Sequence, residues 1–252
     1  MSNNNGGLVY EEESDNQRKI FVEIKPDTKL VRKCIGEESE RLIAQSNNNE
    51  ILPKGFRVRT LEMGENKGKE VAEEMYNSIP NVQLLKVSSE EVFGQRKMQL
   101  LFNNMQDDSP DVQVQCTLIN DRNSVNGYAS NFIDKMPNIK IGTSMTVRIK
   151  KYTNKDTGKE KRYIEITQNN KIIQSAFWDY DKNKPKGGKP SATLKEKKIM
   201  GEMKEVWDYT KVAEFQLDLF QKFSQDVETY WDNSEKPKSK KLVEEVEEEI
   251  PF

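Results

Sequence analysis

The sequence predicts a mainly β fold with helical additions, on three observations. From Lys19 to Ile119, short apolar runs alternate with turn-forming segments. From Ser144 to Phe177, apolar and polar residues alternate one by one across two turns. From Leu194 to Trp231, apolar residues recur every three or four positions. Hydrophobic residues make up 34% of the 252 and charged residues 33%, so a sizeable part of the chain must lie outside a packed core.

Taken in order, residues 1–17 are polar and acidic and predict a disordered arm. Ile20–Ile24 and Phe56–Leu61 read as strands, Val31–Ala44 and Lys69–Ile79 as short helices. Gln83–Val87, Met98–Phe102 and Val112–Ile119 read as strands again, with the Asn47–Asn49, Gly64–Gly68 and Asp107–Pro110 segments as loops. In Met145–Tyr152, Met145, Val147 and Ile149 face one way and Thr146, Arg148, Lys150 and Tyr152 the other. A turn containing Gly158 leads to a return strand in which Ile164 and Ile166 alternate with Lys161, Tyr163, Glu165 and Thr167. Asn169-Asn170 then turns into Lys171–Phe177, giving a three-stranded meander. The segmentation is therefore a β domain over 18–180, a basic linker over 181–193, a helical segment over 194–232 and a disordered acidic tail over 233–252. The aromatic helix is expected to pack on the β domain, with self-association of its apolar face as the alternative.

Composition closes off much chemistry. The chain has no histidine, which removes His-based triads and His metal sites. The Gly64–Lys69 segment lacks phosphate-loop spacing. Glu23, Lys25 and Asp111 have the residue types of a metal-dependent nuclease in the wrong order along the chain. Cys34 and Cys116 fit no metal-ligand spacing and read as reduced thiols. The first residues lack the basic-then-apolar order expected of a signal peptide, and no apolar run approaches the length of a membrane span. No catalytic residue, cofactor or metal is expected.

Charge is segregated instead. Thirteen Lys or Arg face five Asp or Glu between Lys140 and Lys189, while Glu244–Glu249 carries five carboxylates interrupted only by Val246. On the outward face of the meander, Arg148, Lys150, Lys161 and Arg162 can neutralise phosphates. Tyr152, Tyr163, Phe177 and Trp178 can stack on bases. The plainer reading is a solvated sheet face with Phe177 or Trp178 in the core. Lys182, Lys184, Lys186 and Lys189 extend the positive field and favour binding.

The chain ends EEVEEEIPF. An acidic run stays solvated, and Pro251 biases Ile250 towards extended backbone, so two apolar side chains are presented on a negative leash. Glu247, Glu248, Glu249, Ile250, Pro251 and Phe252 closely resemble the acidic tip of bacterial and phage single-stranded DNA-binding proteins, with Glu where that family usually has Asp. Tyr128–Ile139, the Thr146–Gln168 hairpin and Lys171 are similar to the central part of the phage-encoded members.

The resemblance implies an elaborated OB-fold-like β-barrel that coats single strands in DNA replication. It also implies a tip that docks on replication, recombination and repair proteins, in the cytoplasm (the host's, if phage-encoded). Residues 1–80 and 194–231 do not correspond to the simple bacterial form, which leaves the homo-oligomer open. A recombination mediator or strand-annealing protein is the alternative, and a metal-dependent nuclease the more distant one.

Overall fold

The computed structural model describes residues 19–24, 29–62, 66–92, 94–105, 110–120, 124–153, 158, 160–199 and 202–235. The expected amino-terminal arm and the acidic segment from 236 onward lie outside these. Ten strands make one sheet: β1 Lys19–Ile24, β2 Leu30–Lys33, β3 Phe56–Thr60, β4 Glu70–Tyr76, β5 Ser78–Val92, β6 Gln95–Asn104, β7 Asp111–Thr117, β8 Met145–Thr153, β9 Glu160–Gln168 and β10 Lys171–Ile172. Their spatial order is β10-β9-β8-β5-β6-β7-β1-β2-β4-β3. β1 runs parallel to β7, and the other described neighbours are antiparallel. Two ribbons stand apart, β11 Trp178–Asp179 with β12 Lys184–Pro185 and β13 Thr193–Ile199 with β14 Glu202–Asp208. The described residues also form three α-helices: α1 Gly36–Asn47, α2 Gly127–Ile133 and α3 Thr210–Asp232.

One apolar cluster joins the inner faces of β1, β2 and β5–β9 to α2 and α3; Leu84, Leu100, Phe102, Phe132, Ile164 and Val227 are among its members. β5 organises it. Its first residues pair with β8 and its later ones, from Val82, with β6. Beyond Val82 the β8 side of β5 has no strand partner among the described residues, and α3 takes the place of one. The Trp231 indole N–H donates to the Leu84 carbonyl at 2.9 Å, and the Ser224 hydroxyl donates to the Val87 carbonyl. Buried carbonyls left bare would be costly, so the helix both covers apolar area and completes the strand edge. On α3, Ala213, Gln216, Phe220, Phe223, Val227 and Trp231 form the buried stripe at three- and four-residue spacing. The helix packs on the sheet, as its periodicity predicts.

Several sequence expectations are corrected. Lys69–Ile79 is not a helix: β4 lies between β2 and β3. Its residues Val71 and Ala72 are buried towards opposite faces, and Glu73 is buried at 3% exposure between Arg57 and Arg59 of β3. Burial pushes the Glu73 carboxyl up, but hydrogen bonds and charge from the two guanidinium groups more than offset it and hold the carboxyl below its ordinary range. Tertiary charge pairing thus overrides a helix-forming composition. The helix read over Val31–Ala44 is β2 followed by α1, because Gly36 takes φ +54 and breaks the run. The third meander strand shrinks from Lys171–Phe177 to Lys171–Ile172.

The segment 194–208 is the β13–β14 ribbon rather than helix, so Ile199, Met203 and Val206 belong to strands. Within the stretch read as a linker, Lys184–Pro185 forms β12 and Lys189 is tied by an ion pair to Asp134. The expected closed barrel is instead an open sheet. β3 and β10 are its ends, and among the described residues no ladder joins them. The β2–β4 limb buries its inner face on α1 in a separate small core around Cys34, Leu42 and Ala72, which takes it away from closure.

Candidate nucleic-acid interface

The hairpin β8–β9 is in the register that its alternation predicts. Val147 opposes Ile166 and Ile149 opposes Ile164 on the buried face. Outward, Arg148 opposes Glu165, Lys150 opposes Tyr163 and Tyr152 opposes Lys161. Asn169 and Asn170, at φ 50 and 60, make the tight turn into β10, where left-handed backbone suits asparagine. Gly158 likewise takes φ +65 near the β8–β9 turn.

The outward stripe brings two rings together. Tyr152 and Tyr163 are diagonal neighbours across the ladder with centroids 5.8 Å apart and planes at 70°. Tyr152 is 47% exposed. Three cations, Arg148, Lys150 and Lys161, flank the pair, against one carboxylate. That carboxylate, Glu165, is 5% exposed, with Lys150 Nζ at 2.9 Å and Arg148 Nη1 at 3.7 Å. It sets the two cations in place and also neutralises part of their charge.

The α2 segment fixes the outer edge of β9. The cap residue Asn126 accepts from the Tyr128 N–H at 3.0 Å and starts the helix. Asn131 and Lys135, four residues apart, then reach the same backbone position. The Ile164 N–H donates to Asn131 Oδ1 at 3.0 Å, and Lys135 Nζ donates to the Ile164 carbonyl and to Asn131 Oδ1, the latter at 2.6 Å. Lys135 is 5% exposed, and its Nζ lies 5.7 Å from the Tyr163 ring centroid. Burial lowers its pKa to about 8, only partly countered by Glu165 and Asp134. Asp134 in turn accepts from Lys189 Nζ with both oxygens at 2.6 Å and from Gln216 of α3 at 2.8 Å. Lys135 thus sets a cation beside the Tyr163 ring, and its neighbour Asp134 ties α2 to α3 and to Lys189.

Five of the eight residues expected at the site, Arg148, Lys150, Tyr152, Lys161 and Tyr163, share this face. The other three do not. Arg162 opposes Lys151 with the parity of the buried residues and contacts Glu160 at 2.8 Å, so it lies on the opposite face of the hairpin. Phe177 stacks edge-on against Phe215 of α3 at 5.3 Å, a packing role. Trp178 belongs to β11, outside the ten-stranded sheet, opposite Pro185. Missing from the sequence reading were Asn131, Lys135 and the buried state of Glu165. A polar pair one helical turn apart between Phe132, Ile133 and Met136 was the available signal for the first two.

The residues expected to dock partners, Glu247–Phe252, fall outside the described part. Among the described residues no group of three or more His, Cys, Asp or Glu could hold a metal ion, and no helix is long and apolar enough to cross a membrane. Both cysteines are free and buried, and burial pushes the Cys116 thiol up to about 12. Searches of family models, curated proteins and solved structures find no match to this chain.

Proposed function

We infer that the protein binds single-stranded DNA on the outward face of β8–β9 and recruits other DNA-processing proteins through Glu247–Phe252. The observation that carries the first half is the Tyr152–Tyr163 pair set among Arg148, Lys150 and Lys161. Flat rings accept any base, and cations at the spacing of a β ladder meet successive phosphates, so the surface needs no particular sequence. The second half rests on the resemblance of the acidic Ile-Pro-Phe segment to the docking tip of single-stranded DNA-binding proteins. The reading assigns binding rather than catalysis: coating exposed strands and handing them on in replication. The OB-like part of the reading rests on the resemblance alone, since among the described residues no ladder joins β10 to β3.

Fluorescence anisotropy with a labelled single strand and with duplex of equal length tests it. Single strands should bind more tightly with little sequence dependence, and log affinity should fall with log salt at a slope of about −0.7 per phosphate contacted. Tyr152→Ala or Tyr163→Ala should cost roughly 1–3 kcal/mol per lost stacked base with the salt slope nearly unchanged. Equal binding to duplex would defeat the stacking argument.

A further inference from the structure

We propose that Lys135 is a positioning residue for single-strand binding, whose ammonium, set over the Tyr163 ring, makes that ring a better platform for a base and must keep its proton to do so. The inference rests on the single-strand reading of the β8–β9 face and names its regulation. Lys135 is 5% exposed. The two carboxylates that face it are committed elsewhere: Glu165 of β9 to Lys150 and Arg148 of β8, and Asp134, which follows α2, to Lys189. Lys135 Nζ donates instead to the Ile164 carbonyl and to Asn131 Oδ1, and among the described residues it has no ion pair of its own. A buried ammonium without its own counter-ion is costly. Capping one carbonyl needs a donor, not a charge. The charge therefore points to a use beyond holding the edge of β9.

The ring supplies that use. Nζ lies 5.7 Å from the Tyr163 centroid, within cation–π range. A cation over a ring draws on its π density, and the ring then stacks better on an electron-rich base. The same charge adds to the field of Arg148, Lys150 and Lys161 that attracts phosphates. Both effects end when the proton leaves. Burial lowers the Lys135 pKa to about 8, with Glu165 and Asp134 countering only in part. A bound polyanion favours the charged form, so strand binding and protonation reinforce each other. The chain has no histidine, and burial pushes Cys34 up to about 11 and Cys116 to about 12. Neither imidazole nor thiol therefore obscures the range around pH 8.

Fluorescence anisotropy of the full chain with a labelled single strand, at constant salt from about pH 7 to about pH 9, tests the proposal. Wild-type affinity should fall about threefold to tenfold, tenfold being roughly the ratio of charged Lys135 fractions at the two ends. Burial of this lysine makes the fold more stable as pH rises, so unfolding does not mimic the fall. Lys135→Met should bind at about pH 7 as weakly as the wild type at about pH 9, with a flat profile. Tyr163→Ala, a change on the outward face, should lose most of the fall, and it carries the test if Lys135→Met does not fold. A wild type that binds single strands with a flat profile overturns the proposal and leaves the binding reading standing. So does a fall that persists in Lys135→Met, since the amino-terminal amine, ordinarily at about 7.7–8.0, would then account for it. A fall kept in full by Tyr163→Ala overturns it too, because Lys135 would not act through the ring. A wild type that binds no single strand at about pH 7 removes the binding reading, and this inference with it.

Discussion

Glu165 decides how much positive charge the β8–β9 face presents. Buried between Arg148 and Lys150, it holds both cations over the sheet and offsets one of them. Glu165→Gln should therefore tighten single-strand binding and steepen the salt slope by about 0.7, one further phosphate contact. Its partners are about half exposed, so stability should change by only about 1 kcal/mol or less. Anisotropy titrations at several salt concentrations separate this from a structural effect.

Lys135 offers a second residue-scale test. Its folded pKa is depressed from 10.5 to about 8, so between these values the unfolded chain binds more protons and stability rises with pH. Below about pH 8 the charged, buried ammonium is destabilising in full; above about 10.5 that penalty is gone. The contribution across the window is roughly 3 kcal/mol as an upper bound. Comparing denaturation of the wild type and Lys135→Met from about pH 8 to about pH 10.5 should show this rise in the wild type and not in the variant. Alternation alone put Arg148, Lys150, Tyr152, Lys161 and Tyr163 on one face, because period-two side-chain direction is local. The burial of Lys135 was not legible, because it depends on α2 reaching the edge of β9.

Among the elements, α3 stands in for a missing neighbour of β5. Trp231→Phe keeps most of the buried ring but strands the Leu84 carbonyl, and should cost about 1–3 kcal/mol in chemical denaturation. An exposed α3 change such as Lys222→Ala should cost within about 0.5 kcal/mol and serves as the control. If Trp231→Phe matched the control, the carbonyl contact would carry no stability. The pattern from Val212 onward announced this helix, since a buried stripe of 3.6-residue period has a single use. Between Leu194 and Val206 the same spacing misled. Apolar residues at three- and four-residue intervals also fall on a ribbon whose two faces are both open, where neither period is enforced by a core. β4 misled for the opposite reason: buried on both faces, it shows no alternation, and its glutamates resemble a solvated helix face until Arg57 and Arg59 account for Glu73.

For the whole molecule, the separation of a +8 segment at 140–189 from five carboxylates at 244–249 ties the DNA reading to the tail. Residues 236–252 follow the described end of the chain near α3. Seventeen residues could span roughly 55 Å if fully extended, enough to cross a domain of this size. Two effects should therefore separate. The glutamates can mimic a polyanion and compete weakly for the basic face, whereas Ile250 and Phe252 add little to that competition. Deleting Glu244–Phe252 should leave single-strand affinity intact or slightly tighter, most visibly at low salt where screening is weak. Phe252→Ala should spare DNA binding and abolish co-purification of replication proteins, because one buried aromatic ring is typically a hot spot. A purely solubilising tail predicts no partner loss on changing Phe252. A deletion that unfolds the protein or destroys DNA binding would place the segment within the folded domain, and the docking half of the proposal would fall with it.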